Sequence, residues 1–243
     1  MITDSHFLRT DYRTLFRLRP DGRIERENDP DGSEGPRFWF AGCPEGNVFG
    51  LRADLPDDLA ARLEDLAFAE PRLVHPATPQ HLDRYLSLLG GDGAAAYYLG
   101  LIYELPHAHP YPGGIRLITS DTSDGHALVR SWAGAGMPAG LVELGFRTLA
   151  DLWAPWCVAV IDGEVASIAL AARLADDGAE LGVVTVKTFR GQGLAAAVTA
   201  GWSRIPALRS RTLFYSTTFD NASSQRVAAR LDLPLRGTSL RIP

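Results

Sequence analysis

The sequence predicts an α/β fold of the α+β type, in which a mixed, mostly antiparallel sheet is flanked by helices and preceded by an N-terminal α+β domain. In the second half, short apolar, β-branched runs alternate with segments whose apolar residues recur at helical spacing. Asp162-Gly163 lies between two of these runs and is typical of a tight type I′ hairpin. A strand at residues 183–186 leads through a glycine-bearing turn into a helix. Together these observations indicate hairpin-connected strands with helices packed on them.

The first half of the chain contains fewer and less regular elements. Its strand candidates are short runs near turn-forming residues, at residues 14–18, 37–41 and 47–52. Its helix candidates carry apolar residues on one stripe, at residues 56–68 and 78–89. Thr78 is the expected N-cap of the second of these helices, and the glycines of residues 90–93 are its expected stop. Residues 94–102 are apolar and fit either a helix or a strand.

The second half follows a regular order: strand, two helices, three antiparallel strands, helix, strand, helix and a final strand. The strands are predicted at residues 115–118, 157–161, 165–172, in a run that ends at 185, and at 212–219. The helices are predicted at residues 123–134 and 140–152, in a segment that begins at 194, and at 220–231. A segment rich in proline and glycine, residues 106–114, precedes them. We therefore expect an N-terminal α+β domain at residues 1–112 and a second domain at 113–243.

The composition argues against several classes of protein. Apolar residues make up 46% and charged residues 22% of the 243, which is typical of a globular protein. The net charge of −5 and the dispersed basic residues argue against a nucleic-acid partner. Cys43 and Cys157 suggest neither a disulfide framework nor a metal site. Because no secretory pattern opens the chain and no apolar run reaches ~18 residues, we expect a cytoplasmic protein with no membrane partner.

The most informative segment is Arg190-Gly-Gln-Gly-Leu-Ala195, which lies between the strand at residues 183–186 and the next helix. The first N–H groups of a helix lack intrahelical acceptors, and the helix dipole favours an anion there. Glycines at positions 191 and 193 let the backbone approach a phosphate closely. The spacing is neither G-x-G-x-x-G nor a P-loop, since no lysine follows the turn. The segment therefore predicts a pyrophosphate site of another type.

The pattern Arg190-x-x-Gly193-x-Ala195 resembles the [Arg/Gln]-x-x-Gly-x-[Gly/Ala] loop of the GNAT superfamily of N-acetyltransferases, which binds the pyrophosphate of coenzyme A. A second motif, Asn221-x-x-Ser224-x-x-x-Ala228, is similar to the segment that opens the last helix in that family. The resemblance covers roughly residues 115–243 and implies acetyl-CoA as the cosubstrate. It implies these cofactor-binding residues: Val183, Val184, Thr185, Arg190, Gly191, Gln192, Gly193, Leu194, Ala195 and Asn221.

The resemblance also implies that the strand before the loop splays from its neighbour. Backbone groups of residues 183–185 would then pair with the pantetheine arm and polarise the thioester carbonyl, as the donors of an oxyanion hole do. The alternative is that all these groups serve the sheet ladder. Contacts of this kind are made by the backbone and do not depend on the side chains.

Glu180 and Ser224 are the candidates for catalysis. A primary amine has a pKa of ~10 and must lose a proton before it attacks. Glu180 lies two to three residues before the thioester region, where GNAT enzymes often carry a carboxylate that acts through water; the alternative is a solvated charge at a strand edge. Ser224 could donate to the leaving thiolate, or it could serve only the helix cap of Asn221. The tyrosine that often protonates this thiolate in the family would fall at Ala228 and is missing.

These expectations point to an N-acetyltransferase that moves an acetyl group from acetyl-CoA to a primary amine by direct attack in a ternary complex. The chain has no G-x-S-x-G elbow, and neither cysteine has a histidine near it in sequence. The acceptor would be a small-molecule or protein amine, cationic because the chain is acidic, and residues 1–112 would shape its groove. No metal is expected, and the chain could form a homodimer. The alternative function is a non-catalytic acyl-CoA-binding or sensing protein, which the missing tyrosine favours.

Overall fold

The computed structural model of the protein describes residues 3–90, 96–111 and 113–243. The helices are α1 (Asp4–Leu15), α2 (Asp57–Ala69), α3 (Leu82–Gly90), α4 (Ser123–Ala135), α5 (Ala139–Glu143), α6 (Leu194–Trp202) and α7 (Ala222–Arg230). The strands are β1 (Phe16–Leu18), β2 (Ile24–Glu27), β3 (Phe38–Cys43), β4 (Gly46–Leu51), β5 (Tyr98–Glu104), β6 (Arg116–Thr119), β7 (Trp156–Ile161), β8 (Glu164–Leu174), β9 (Gly178–Thr185), β10 (Thr212–Thr218) and β11 (Leu235–Ile242).

Across the described ranges, nine strands form one sheet in the order β4-β3-β11-β5-β10-β9-β8-β7-β6. Neighbouring strands are antiparallel except β9 and β10, which run parallel. β1 and β2 form a separate antiparallel hairpin. The predicted α+β fold, a mixed and mostly antiparallel sheet flanked by helices, is confirmed.

Alternate residues of β10 show how helices cover both faces of this sheet. Leu213 and Tyr215 pack in one apolar cluster with residues of α6 and α7. Phe214 packs against Phe7 of α1, with ring centroids 4.7 Å apart. Because successive side chains of a strand point to opposite faces, α6 and α1 cover opposite sides of the sheet. These sides are called the α6 face and the α1 face below.

β5 joins the two halves of the chain within the sheet. It belongs to the first half but lies between β10 and β11, with Tyr103 opposite Tyr215 and Leu101 opposite Thr238. β3, also from the first half, pairs with the other edge of β11. The sheet is therefore continuous across the expected boundary, and residue 112 lies outside the described residues. A division into domains at 112/113 stays a prediction.

The predicted strand at residues 14–18 is wrong at its start. Residues 14 and 15 form the end of α1, and β1 begins at Phe16. α1 begins after Thr3, whose side chain accepts a backbone N–H from the first turn. The helix buries the polar residues Asp11 and Thr14 beside its apolar ones. These polar residues interrupt the apolar periodicity, and the sequence pattern therefore misses the helix.

Two predicted helices also change. The helix predicted at residues 78–89 begins at Leu82, because the Glu70 carboxylate accepts the N–H groups of Gln80 and His81 and holds them before the helix. Thr78 is therefore not its N-cap. The helix predicted at residues 140–152 divides into α5 and a 3-10 turn at Leu149–Asp151.

Three further local predictions concern the turn at Asp162-Gly163, the segment at residues 94–102 and the glycines after α3. Asp162 and Gly163 have φ angles of 50° and 86°, which confirms the type I′ turn between β7 and β8. The ambiguous segment at residues 94–102 contributes β5, a strand. Of the glycine stop expected at residues 90–93, Gly90 is the last residue of α3, and residues 91–93 lie outside the described residues.

Candidate functional site

The strands β9 and β10 part in the middle of the sheet. They pair over only three positions, and the last of these pairs is Phe214 with Glu180. Beyond it, β9 continues along β8 as far as Thr185, and β10 continues along β5 as far as Thr218. A gap therefore opens between two strands that are each held firmly on their outer edges. This is the splay that the family resemblance implied.

The open edge of β9 presents backbone groups to this gap. The N–H of Val186 donates to the carbonyl of Ala166, 2.9 Å away, on the β8 side. Backbone groups alternate in direction along a strand, so those of Val184 also face β8, while those of Val183 and Thr185 face the gap. Consistent with this direction, the Arg190 Nε donates to the Thr185 carbonyl oxygen at 3.2 Å. Val183 and Thr185 can therefore bond a strand-like ligand laid in the gap.

The loop after β9 ends at the N-terminus of α6. Gly191 and Gly193 have φ angles of 82° and 80°, in the left-handed region that favours glycine. The N–H of Ala197 donates to the Gly193 carbonyl at 3.2 Å, so helix geometry leaves the amides of residues 194–196 without an intrahelical acceptor. The Tyr111 hydroxyl donates to the same carbonyl at 3.2 Å. The loop is thus fixed in a form that directs free amides outward.

A cavity of about 630 Å³ on the α6 face connects the gap to this loop. It is lined by the loop, the open part of β9, Tyr215 of β10 and one side of α7. Among its described lining residues three are arginines, Arg190, Arg226 and Arg230, and none is acidic. A Cβ added to Gly193 would lie 2.5 Å from Nη1 of Arg230, which places that guanidinium directly at the loop. The cavity therefore suits a polyanion at one end and an extended chain at the other.

Most of the residues predicted to bind the cofactor lie together on this cavity. Those on its walls are Val183, Val184, Thr185, Arg190, Gly191, Gly193, Leu194, Ala195 and Asn221. Gln192 is exposed and lies outside the lining. The Asn221 side chain accepts the N–H of Ser224 at 3.0 Å, so it caps α7 while it borders the cavity.

Tyr215 is a candidate residue that the predicted set of site residues omits. Its hydroxyl lies 2.7 Å from Oγ of Ser224 and donates to the Ser224 carbonyl at 3.1 Å. Tyr215 follows Phe214, the last residue of β10 that pairs with β9, and lines the cavity beside the gap. Burial raises the pKa of Tyr215 to about 12, so the hydroxyl stays protonated. Ala228, where the family places its tyrosine, is buried in the apolar core.

Glu180 lies on the α1 face, away from the cavity just described. It is 7% exposed, and its Oε2 accepts a hydrogen bond from Arg173 at 2.6 Å. The alternative interpretation of Glu180 as a solvated charge is therefore wrong. Arg173 also binds Glu27 at 2.8 Å, and Glu27 in turn pairs with Arg241. Glu180 is therefore held in an ion-pair network on the α1 face, and its role as a general base stays a prediction.

Other polar residues that the sequence offers are occupied elsewhere. The ring nitrogen Nε2 of His107 lies 2.8 Å from the Arg211 carbonyl oxygen, and both ring nitrogens of His109 lie within 2.8 Å of backbone carbonyl oxygens. The described residues contain no group of three side chains suited to hold a metal ion. Burial raises the pKa of the Cys157 thiol to about 12, as expected of a core residue. None of the described helices has the length and apolar character needed to cross a membrane.

Comparison with known proteins gives similarity at the level of solved structures. No model of a protein family matches the sequence, and no curated protein matches it. A putative GNAT-family acetyltransferase from Novosphingobium aromaticivorans is 22% identical with a TM-score of 0.40; the match covers 60% of this chain and 64% of that one, just under two thirds. A GNAT-family acetyltransferase from Colwellia psychrerythraea is 18% identical with a TM-score of 0.45, over 80% and 75% of the two chains. A tandem GNAT protein from the clavulanic acid biosynthesis pathway is 14% identical with a TM-score of 0.41, over 99% and 97%.

Proposed function

We propose that the protein transfers an acetyl group from acetyl-CoA to a primary amine by direct attack. The observation that carries this proposal is the cavity on the α6 face, which joins free helix N-terminal amides to the open edge of a strand. A thioester carrier with a diphosphate at one end and an extended arm at the other matches both features. The thioester supplies the activated acyl group, and the protein supplies position and hydrogen bonds.

The diphosphate would lie on the amides of residues 194–196, where unpaired N–H groups and the helix dipole both favour an anion. Arg226 and Arg230, on the neighbouring face of α7, would add charge-assisted contacts to phosphate oxygens. The extended arm would run along β9 and pair with Val183 and Thr185 as a short additional strand. An N–H of this strand would then face the thioester carbonyl oxygen, where negative charge develops on attack.

In the transfer step, the amine nitrogen forms a bond to the carbonyl carbon and the carbon–sulfur bond breaks. The sulfur leaves as a thiolate and takes up the proton that the nitrogen loses as the amide forms, so the products are the acetylated amine and the free thiol of coenzyme A. Tyr215 lies next to the gap, and its hydroxyl would turn its single proton from the Ser224 carbonyl to that sulfur. Because its pKa is raised to about 12, Tyr215 is better suited to stabilise a thiolate by hydrogen bonding than to protonate it fully. The Ser224 hydroxyl, predicted as the donor, would instead hold Tyr215 in place.

The first test measures free thiol released from acetyl-CoA with a panel of primary amines, and coenzyme A binding by calorimetry. Amine-dependent thiol release supports the proposal. Tight binding of coenzyme A with no turnover across a broad panel supports the alternative, a non-catalytic acyl-CoA-binding or sensing protein. The absence of coenzyme A binding contradicts both.

Two glycines provide matched variants for this test. Gly191 and Gly163 have φ angles of 82° and 86°, and an added Cβ meets nothing within 4 Å at either position. Gly191→Ala and Gly163→Ala therefore impose the same backbone strain, but only the first alters the loop on the cavity. We expect Gly191→Ala to weaken coenzyme A binding at least 10-fold and Gly163→Ala to leave it unchanged. Equal affinity of the two variants for coenzyme A would mean that the loop does not bind the cofactor.

A further inference from the structure

A second cavity, of about 200 Å³, lies on the α1 face of the sheet. Its walls come from α1, β3, β5, β8, β9, β10 and β11, so it draws on both halves of the chain. Gly100 lies in its wall, where a Cβ would approach Oγ of Ser239 to 2.6 Å. Apolar side chains such as Trp39 and Ile102 share the lining with hydroxyl groups such as that of Ser216. The cavity has room for a small organic molecule with an apolar body and a polar end.

Asp11 of α1 lines this cavity and has no hydrogen-bond partner among the described residues. It is 0% exposed, and neither of its carboxylate oxygens has a hydrogen-bond donor in the described residues. Buried polar atoms in folded proteins are nearly always hydrogen-bonded, and an unpaired buried carboxylate is costly. Packing alone gives no reason for an aspartate at this place. An unpaired acceptor that lines a cavity indicates a donor brought by a ligand.

The charges around Asp11 give the sign of that ligand. Arg173 is shared between Glu27 and Glu180, and Arg241 also pairs with Glu27. The two guanidinium groups are thus paired with two other carboxylates, so among the described residues that line the cavity Asp11 is the acidic side chain without an ion pair. Asp11 also has its pKa raised, first by burial and then by Glu180, against the opposing effect of Arg173. A single positive charge beside Asp11 would balance the group.

This second cavity borders the gap between β9 and β10. Glu180, in the last β9–β10 pair, lines it together with Ser216 and Thr217, which follow the pair on β10. The first cavity is lined by Val183 and Tyr215 from the same two strands. The two cavities therefore border one gap from opposite faces of the sheet. A molecule in the second cavity would approach a thioester in the gap from the side opposite to coenzyme A.

We propose that the second cavity binds the acceptor, a small primary amine with one positive charge, and that Asp11 is the counter-ion of its ammonium group. Because only the neutral amine attacks, the ammonium first passes one proton to the Asp11 carboxylate and its nitrogen then attacks the thioester. This inference rests on the proposed function, since it assigns the acceptor side of the same transfer. It gives α1, an element of the first half of the chain, a direct role in recognition. Arg173 and its two glutamates keep the neighbouring charges fixed, so that Asp11 alone remains for the ligand.

The test compares Asp11→Asn with Asp177→Asn in the full chain. Asp177 pairs with Arg13 of α1 at 2.8 Å on the surface and does not line the cavity, so it is a matched control. The probe is n-propylamine, with n-propanol as its neutral analogue of similar size. Binding of both is followed by ligand-observed NMR with and without coenzyme A, and the KM for the amine is measured by thiol release.

We expect the wild-type protein and Asp177→Asn to bind n-propylamine and not n-propanol. Asp11→Asn should raise the dissociation constant or KM for the amine at least 10-fold and leave the affinity for coenzyme A unchanged. A second variant, Gly100→Ala, keeps every charge but narrows the cavity, and should also weaken the binding of n-propylamine. Melting curves show whether each variant is folded.

Failure of the inference differs from failure of the proposed function. If amines are acetylated but Asp11→Asn binds n-propylamine as tightly as the wild type, the second cavity is not the acceptor site. If n-propylamine does not bind the wild type, the inference is also overturned, whatever coenzyme A does. If coenzyme A does not bind, the proposed function fails, while the binding of n-propylamine still decides whether Asp11 holds a cation.

Discussion

The two cavities that border the β9–β10 gap differ in how they are built. The cavity on the α6 face uses mainly backbone amides and a strand edge, with three arginines and no acidic residue among its described lining residues. The cavity on the α1 face uses side chains, among them an unpaired buried carboxylate. The first suits a polyanionic carrier and the second a small cation. Under the two proposals, one parted pair of strands would receive two substrates of opposite charge from opposite faces of the sheet.

The largest expected effect concerns the α6 face and belongs to Tyr215. Tyr215→Phe should lower kcat for amine acetylation roughly 100-fold with little change in the KM for acetyl-CoA, because one preorganised donor to the leaving sulfur is lost. The control is Tyr103→Phe, whose ring lies 6.3 Å from that of Tyr215 in an edge-on contact and does not line the cavity. Equal kcat values for the two variants would contradict a role for the Tyr215 hydroxyl.

The next effect separates structure from catalysis at Glu180. Glu180→Gln replaces a buried ion pair with Arg173 by a hydrogen bond from the charged guanidinium to a neutral amide oxygen, and should lower the free energy of unfolding by about 2 kcal/mol. Denaturant unfolding measures that loss, and thiol release measures turnover. If Glu180 is the general base, kcat for amine acetylation falls as well. If kcat stays near the wild-type value, the Glu180 carboxylate only stabilises the fold through its ion pair with Arg173.

A smaller change in the free energy of unfolding, an increase where Glu180→Gln gives a decrease, is expected for Asp11→Asn. The pKa of this carboxyl is raised above its ordinary value of 3.8 by burial first and by Glu180 next, and Arg173 opposes the change. The unfolded chain therefore releases the proton at lower pH than the folded protein, and the free energy of unfolding falls as the pH rises above 3.8. Asp11→Asn should remove this fall and stabilise the protein by about 1.5 kcal/mol at neutral pH.

Denaturant titrations from acidic to neutral pH measure this change, and Asp177→Asn serves as the control because it breaks only an exposed pair. An Asp11→Asn protein that is less stable than the wild type at neutral pH would mean that a donor within the protein already satisfies the carboxylate. A gain in stability together with a loss of amine binding would mark Asp11 as a residue kept for a ligand.

The smallest expected effect concerns Arg230 and tests whether its charge contributes to binding in the cavity on the α6 face. Arg230→Ala should weaken coenzyme A binding about 10-fold, equivalent to about 1.4 kcal/mol, and make binding less sensitive to salt, because one phosphate contact is removed. Arg209→Ala removes an exposed arginine that does not line the cavity, and should change neither quantity. Calorimetry at two salt concentrations distinguishes the variants. An equal loss in both would point to the overall charge of the protein in place of a local contact.

The same difference between the cavities explains what the sequence could predict. The loop and the strand before it occupy consecutive residues, so their glycines and apolar pattern can be recognised without the fold. The α1 face combines Asp11, Glu27 and Arg173, which are far apart in sequence and meet only through the packing of α1 and the register of the strands. No local pattern links these residues. Asp11 is moreover a polar interruption of the apolar stripe that would have revealed α1.

Tyr215 shows the limit of prediction within a correctly predicted strand. The strand at residues 212–219 is confirmed as β10, but which of its residues follows the last β9–β10 pair depends on register. Register is set by long-range pairing, here with β5 from the first half of the chain. The missing tyrosine of α7 and the tyrosine of β10 could therefore not be connected from the sequence alone.

Amide hydrogen exchange, followed residue by residue with and without coenzyme A, tests the central claim most directly. The account predicts that coenzyme A slows exchange at Val183, Thr185 and residues 194–196, and leaves the Asp162-Gly163 turn unchanged. Binding that slows exchange elsewhere, with no change at the β9 edge or at the start of α6, would contradict it.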